Sequence, residues 1–152
     1  MNGRGYTMAE LLVVLAVVGV LSALGYPYFA TYMQTASLKA GAQELAAIVN
    51  GARQLAIARN SNVCMTLSSN KAVYMINVSA ACAGGQVFVG TITKSDGTIA
   101  LSNNIQVSGT TANVVFSNLG AATTAGTYTV RNPTTNKTMS VVVAASGRVT
   151  IQ

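Results

Sequence analysis

Side chains able to do acid–base, nucleophilic or metal chemistry are scarce in this sequence. Its carboxylates are Glu10, Glu44 and Asp96, and it has no histidine. General acid–base catalysis draws mainly on His, Asp and Glu, and a hard-cation site needs several carboxylates. Two of the three acids fall in the N-terminal third, so neither a carboxylate pair nor a Ser-His-Asp arrangement is expected to assemble. The expectation is a protein that is not an enzyme and that carries no cofactor and no metal.

Two other features have chemical content. Cys64 and Cys82 are the two cysteines. An oxidising compartment would favour their pairing, and closing a loop of that length would stabilise the fold by about 3 kcal/mol on the chain-entropy model. Two buried free thiols are the alternative. Glu10 is the second feature, because it stands at the edge of an apolar run. A carboxylate there is costly, about 2.5–3.5 kcal/mol at a bilayer centre and less near its edge, so it is a functional candidate by default. Its alternative is a plain interfacial position.

The net charge is +6. Beyond Asn60, Lys71, Lys94, Arg131, Lys137 and Arg148 stand against Asp96 alone, a balance of +4. Such a region permits an acidic partner such as nucleic acid or anionic lipid. Solubility is the plainer explanation.

These residues need elements to hold them. From Leu11 to Leu38 there is no charge, and 12 of the 15 residues in Leu11–Gly25 are apolar. About 20 such residues in a helix span the roughly 30 Å hydrocarbon core. Arg4 on the N-terminal side places the N-terminus in the cytoplasm and the rest outside. A secretory signal peptide is the competitor, and Glu10 speaks against it. Leu38, Ala42, Leu45, Val49, Ala52 and Ala56 then recur at three- and four-residue steps, which predicts an amphipathic continuation packed on a head. Thr7 to Arg59 would measure about 80 Å as one helix, with a bend or local loosening at Gly25 and Pro27. After Asn60, runs rich in Val, Ile, Thr, Tyr and Phe at 62–67, 72–78, 86–92, 104–108, 112–117, 127–131, 138–144 and 147–151 alternate with turn-forming clusters. They predict an antiparallel β head, with 122–127 (ATTAGT) as a mobile loop. The division is a leader at 1–5, a transmembrane helix at 6–30, an amphipathic helix half at 31–60 and a β-rich head at 61–152.

The stretch RG-YTMAELLVVLAVVGVLSALGYPYF closely resembles the N-terminus of type IV prepilins and type II secretion pseudopilins. The resemblance implies an α+β, type IV pilin-like fold. It also implies cleavage between Gly5 and Tyr6 by prepilin peptidase, methylation of the Tyr6 amine, and a role for Glu10 in pairing with the amine of a neighbouring subunit. The family usually has Phe where this chain has Tyr6. Opposite charges in an apolar setting attract strongly while each alone is costly, so such a pair would set the register between helices. A second stretch, GARQLAIARNSNVCMTLSSN with Cys82 and a terminal SGRVTIQ, resembles the FimT/GspH group of minor pilins and pseudopilins.

Those resemblances imply an inner-membrane, single-pass subunit with a periplasmic head. Its partners would be other pilins or pseudopilins, and it would prime or cap a type IV pilus or a type II secretion pseudopilus. Some FimT-like proteins resemble DNA-uptake receptors that close on a GRxR pattern. Here Gly147 and Arg148 are followed by Val149 and Thr150, so only Arg148 carries over. Arg131, Lys137 and Arg148 are the candidate contacts for double-stranded DNA in that alternative.

Overall fold

A computed structural model describes residues 6–68, 70–101, 105–109 and 113–152. Helix α1 spans Met8–Arg59 and runs through Gly25 and Pro27 as one element. The chain divides into two compact units, 1–35 and 36–152, with the boundary inside α1.

In the first unit the apolar side chains of α1 from Leu11 to Leu24 are exposed. An 18-residue window here has mean hydropathy 2.3, so by length and composition this helix can cross a membrane.

The second unit has its own core, and the predicted stripe is the face of α1 that enters it. Leu45, Val49, Ala52 and Ala56 are fully buried and Leu38 nearly so. They meet Val63, Met65, Tyr74, Val114, Phe116, Val130 and Val141 from the strands. Glycines permit the close approach at two helix positions. A Cβ on Gly41 would stand 2.4 Å from Ile105 Cδ1, and one on Gly51 would stand 2.8 Å from Tyr74 Oη. Tyr74 is 1% exposed. Its hydroxyl donates to the Ile48 carbonyl at 2.5 Å, which satisfies the one polar atom it brings into the core.

The helix ends for an identifiable reason. Asn60 adopts φ 49°; its N–H donates to Ile57 O, and Ser61 N–H donates to Ala56 O. This pair of bonds is a Schellman cap with Asn as the left-handed residue. Asn118 Nδ2 donates to Asn60 Oδ1 at 3.0 Å, which ties the cap to a later turn.

Among the described residues ten strands follow: β1 (Val63–Ser68), β2 (Lys71–Ile76), β3 (Gln86–Val87), β4 (Thr98–Ala100), β5 (Gln106–Gly109), β6 (Val114–Phe116), β7 (Ala122–Thr124), β8 (Gly126–Arg131), β9 (Thr138–Val143) and β10 (Val149–Ile151). One sheet has the order β3-β2-β1-β6-β7, with β4 also on β2; the other has the order β10-β9-β8-β5. Every pairing among them is antiparallel.

Three expectations are corrected. The segment 122–127 is no loop: Ala122–Thr124 pairs with β6, and Gly126 opens β8. Thr123 Oγ1 also donates to Val115 O and Thr124 Oγ1 to Ala80 O, so small residues that read as a linker are tied down by their hydroxyls. The run 86–92 shortens to β3, because β4 takes over the same edge of β2 at Lys71–Val73. Strand β4 itself was not expected, since three residues after a tight turn carry little periodic signal.

Candidate functional site

The N-terminus of α1 is held by a local exchange of hydrogen bonds. Thr7 is the N-cap and Glu10 the third helical position. Thr7 N–H and Thr7 Oγ1 donate to Glu10 Oε2 at 3.0 and 3.1 Å, and Glu10 N–H donates to Thr7 Oγ1 at 3.3 Å. This reciprocal capping box satisfies two helix-end donors, and the carboxylate also lies at the positive end of the helix dipole. Sequence reasoning singled out Glu10 and missed its partner, although Thr7-Met8-Ala9-Glu10 is the signature of that box. Tyr6 is exposed; Gly5, the expected cleavage residue, lies outside the described residues.

In the head, Cys64 and Cys82 are disulfide-bonded, with Cα atoms 5.5 Å apart. The bond joins β1 to the turn before β3 and lies against Val78 and Val115. Because Ala80 in that turn accepts from Thr124 Oγ1, the disulfide loop is also tied to the edge strand β7.

The three cations proposed for DNA are not brought together. Arg131 pairs in register with Thr138 at one end of β9, and Lys137 precedes it by one residue. Arg148 precedes Val149, which pairs with Val143 at the other end. Six residues of strand separate the ends by roughly 17 Å. Within the first cluster, Arg131 Nη2 already donates to Asn136 Oδ1.

Arg53 is the functional-looking cation that sequence reasoning passed over. Its Nε donates to Gly120 O at 2.9 Å. Gly120 and Gly147 both have φ +80°, and a Cβ on Gly147 would stand 2.0 Å from Gly120 O and 3.1 Å from Arg53 Nε. Ala122 N–H donates to Ala145 O across the same junction. The Ser146-Gly147-Arg148 turn is therefore clamped between α1 and the turn before β7. No motif announced Arg53, because its partners are 67 and more residues away.

Among the described residues, no group of three or more His, Cys, Asp or Glu could hold a metal ion. What the arrangement offers is an exposed apolar helix with a capped carboxylate at its start and a disulfide-braced β head. Those are the parts of a pilin-like filament subunit. Residues 41–147 match the family described as type II transport protein GspH, and residues 1–26 match the prokaryotic N-terminal methylation motif. The chain belongs to the GspH family.

Solved structures agree on the fold. The minor pseudopilin EpsH of the Vibrio cholerae type 2 secretion system superposes with TM-score 0.59 at 12% identity, over 76% of this chain and 96% of that one. The Pseudomonas aeruginosa type IV minor pilin FimU gives 0.55 at 14%, over 75% and 91%. Escherichia coli GspH gives 0.59 at 12%, over 77% and 88%. No curated protein sequence matches the chain.

Proposed function

We propose that this chain is a minor pilin or pseudopilin, a membrane-anchored structural subunit that primes or caps a type IV pilus or a type II secretion pseudopilus. The observation that carries the reading is the match of the chain's first 26 residues to the methylation motif on an apolar helix, joined to a GspH-family head. Prepilin peptidase cuts between Gly5 and Tyr6 and the new amine is methylated. The N-terminus then faces the cytoplasm and the head the periplasm.

In the single subunit, Thr7 holds Glu10, and both of those bonds fall on Oε2. Oε1 is thus open to a second donor, the amine of an adjacent subunit. That pairing sets the axial register between helices, because each charge left alone in apolar surroundings is unfavourable.

The test is intact-mass analysis of the native protein together with Glu10→Val. The chain begins at methylated Tyr6, and the variant inserts in the membrane but is lost from sheared filaments. An unprocessed chain, one cut beyond Ala23, or normal incorporation of Glu10→Val would refute the reading.

A further inference from the structure

The chain itself limits which end of the head can lie near a bilayer. Tyr26, Tyr28, Phe29 and Tyr32 are exposed on α1, and tyrosines of this kind gather at membrane–water interfaces. Tyr28 stands about 27 Å along the helix from Glu10, close to the roughly 30 Å of hydrocarbon to be crossed. The head's own unit begins at Ala36. The chain from Tyr32 to Ala36 reaches at most about 14 Å, whatever its conformation. Leu38, 3% exposed, and Gly41, set against Ile105, mark the end of the head at which α1 enters.

One flank of that entry end carries cations. Asn70 Nδ2 donates to Ile105 O, and Asn70 Oδ1 accepts from Val107 N–H at 2.8 Å. Asn70 shares a hollow of about 480 Å³ with Gln106, Ser108 and Arg131. Gln106 pairs with Arg131 and Arg131 with Thr138, so Lys137 belongs to the same end of the sheet. Both cations are exposed, as is Lys39 in the first turn of α1 inside the head. The head's two acids lie on the other flank. Glu44 lines a hollow with Ile92 and Ile99, and Asp96 accepts from Thr98, where β4 pairs with β2. Lys71 stands near Asp96 and offsets its charge, so it adds little. Arg148 is far away: the Gly147 turn before it meets Arg53, about 18 Å along α1 from Gly41.

We infer that this entry end rests on the bilayer surface, with Arg131 and Lys137 against the phosphate groups of anionic lipids. A guanidinium binds phosphate through paired N–H donors and an ammonium binds it as a point charge. Each cation near such a surface is worth about fivefold in binding. The tether supplies proximity, so two contacts suffice where a free head would need more. This inference rests on the membrane-anchored reading, and it adds which end of the head meets the membrane and what it binds there.

The experiment reconstitutes the full-length chain in vesicles of phosphatidylcholine alone or mixed equally with phosphatidylglycerol. Some lipid headgroups carry a nitroxide quencher, and one engineered cysteine carries a fluorophore. The native cysteines are bonded to each other, so only the new thiol is labelled. Thr134→Cys reports on the turn between Arg131 and Lys137, and Ser146→Cys on the turn at the other end of β9; both positions are exposed. Quenching of the Thr134→Cys label is stronger in the mixed vesicles and exceeds that at Ser146→Cys. Arg131→Gln with Lys137→Gln lowers the ratio of docked to undocked heads about 25-fold, and unchanged melting checks the fold. Salt at about 1 M does the same to the parent, because the screening length falls to about 3 Å. Equal quenching in the two kinds of vesicle, or quenching untouched by the double glutamine variant, would overturn the lipid contact while the chain stays anchored. Stronger quenching at Ser146→Cys would overturn the choice of end. Release of the label by duplex DNA, matched in phosphate to the lipid, would make nucleic acid the preferred occupant and overturn the bilayer surface. A chain that alkaline carbonate strips from the vesicles would overturn both this inference and the membrane-anchored reading beneath it.

Discussion

Replacing Gly51 by alanine isolates how the helix is seated on the sheet. Alanine raises intrinsic helix stability by about 1 kcal/mol over glycine, yet its Cβ would meet Tyr74 Oη at 2.8 Å. Tyr74 is 1% exposed and bonded to Ile48 O, so it has little room to yield. Overpacking of this kind costs about 1–3 kcal/mol, which leaves Gly51→Ala neutral to about 2 kcal/mol destabilising. Tyr74→Phe alone loses one hydrogen bond, about 1 kcal/mol; Ile48 O keeps its partner one helical turn on. In the double variant the clashing oxygen is gone, and the next atom of the ring stood at an ordinary 3.7 Å. The helix gain then offsets the lost bond, and the double variant returns close to wild type. Denaturant unfolding of a 36–152 fragment, read as a double-mutant cycle, should give a coupling of about 1–3 kcal/mol. Additivity within about 0.5 kcal/mol, or a Gly51→Ala stabilised by the full helix-propensity gain, would refute the steric argument.

Removing the Cys64–Cys82 bond with paired alanines should cost about 2–5 kcal/mol, measured by the same unfolding; thiols that alkylate in the unreduced native protein would contradict it. Burial pushes the Tyr74 and Tyr128 hydroxyls from 10.0 up to about 12. Their folded values exceed the unfolded ones, so this stability is complete below about pH 10 and is lost as pH rises from about 10 to 12. Alkaline titration should show that loss, and it should be shallower in Tyr74→Phe. Asn60→Ala leaves at φ 49° a residue without the short polar side chain that lets Asn adopt the left-handed region, and it breaks the bond from Asn118. It should lower stability by about 1–2 kcal/mol, while Asn60→Gly recovers most of that; equal melting of the two would show that backbone conformation is not the reason for Asn60.

The readings that needed only local pattern were legible in the sequence. An uncharged run beginning at Leu11 declares an apolar helix whatever surrounds it, and the stripe from Leu38 to Ala56 names its buried face by spacing alone. The Thr7–Glu10 box was equally local and was available to be read. Tertiary structure decided the rest, because those features depend on residues far apart in the chain. β7 exists since its neighbour β6 and the carbonyl of Ala80 are there to bond it; its own residues look like a linker. Arg131 and Arg148 looked like members of one patch until strand register put them at opposite ends of β9. Arg53 gained its place only when two glycine turns closed on it. A helix writes its geometry into every third or fourth residue, whereas a sheet's edges and a turn's neighbours are set by which distant strand arrives beside them.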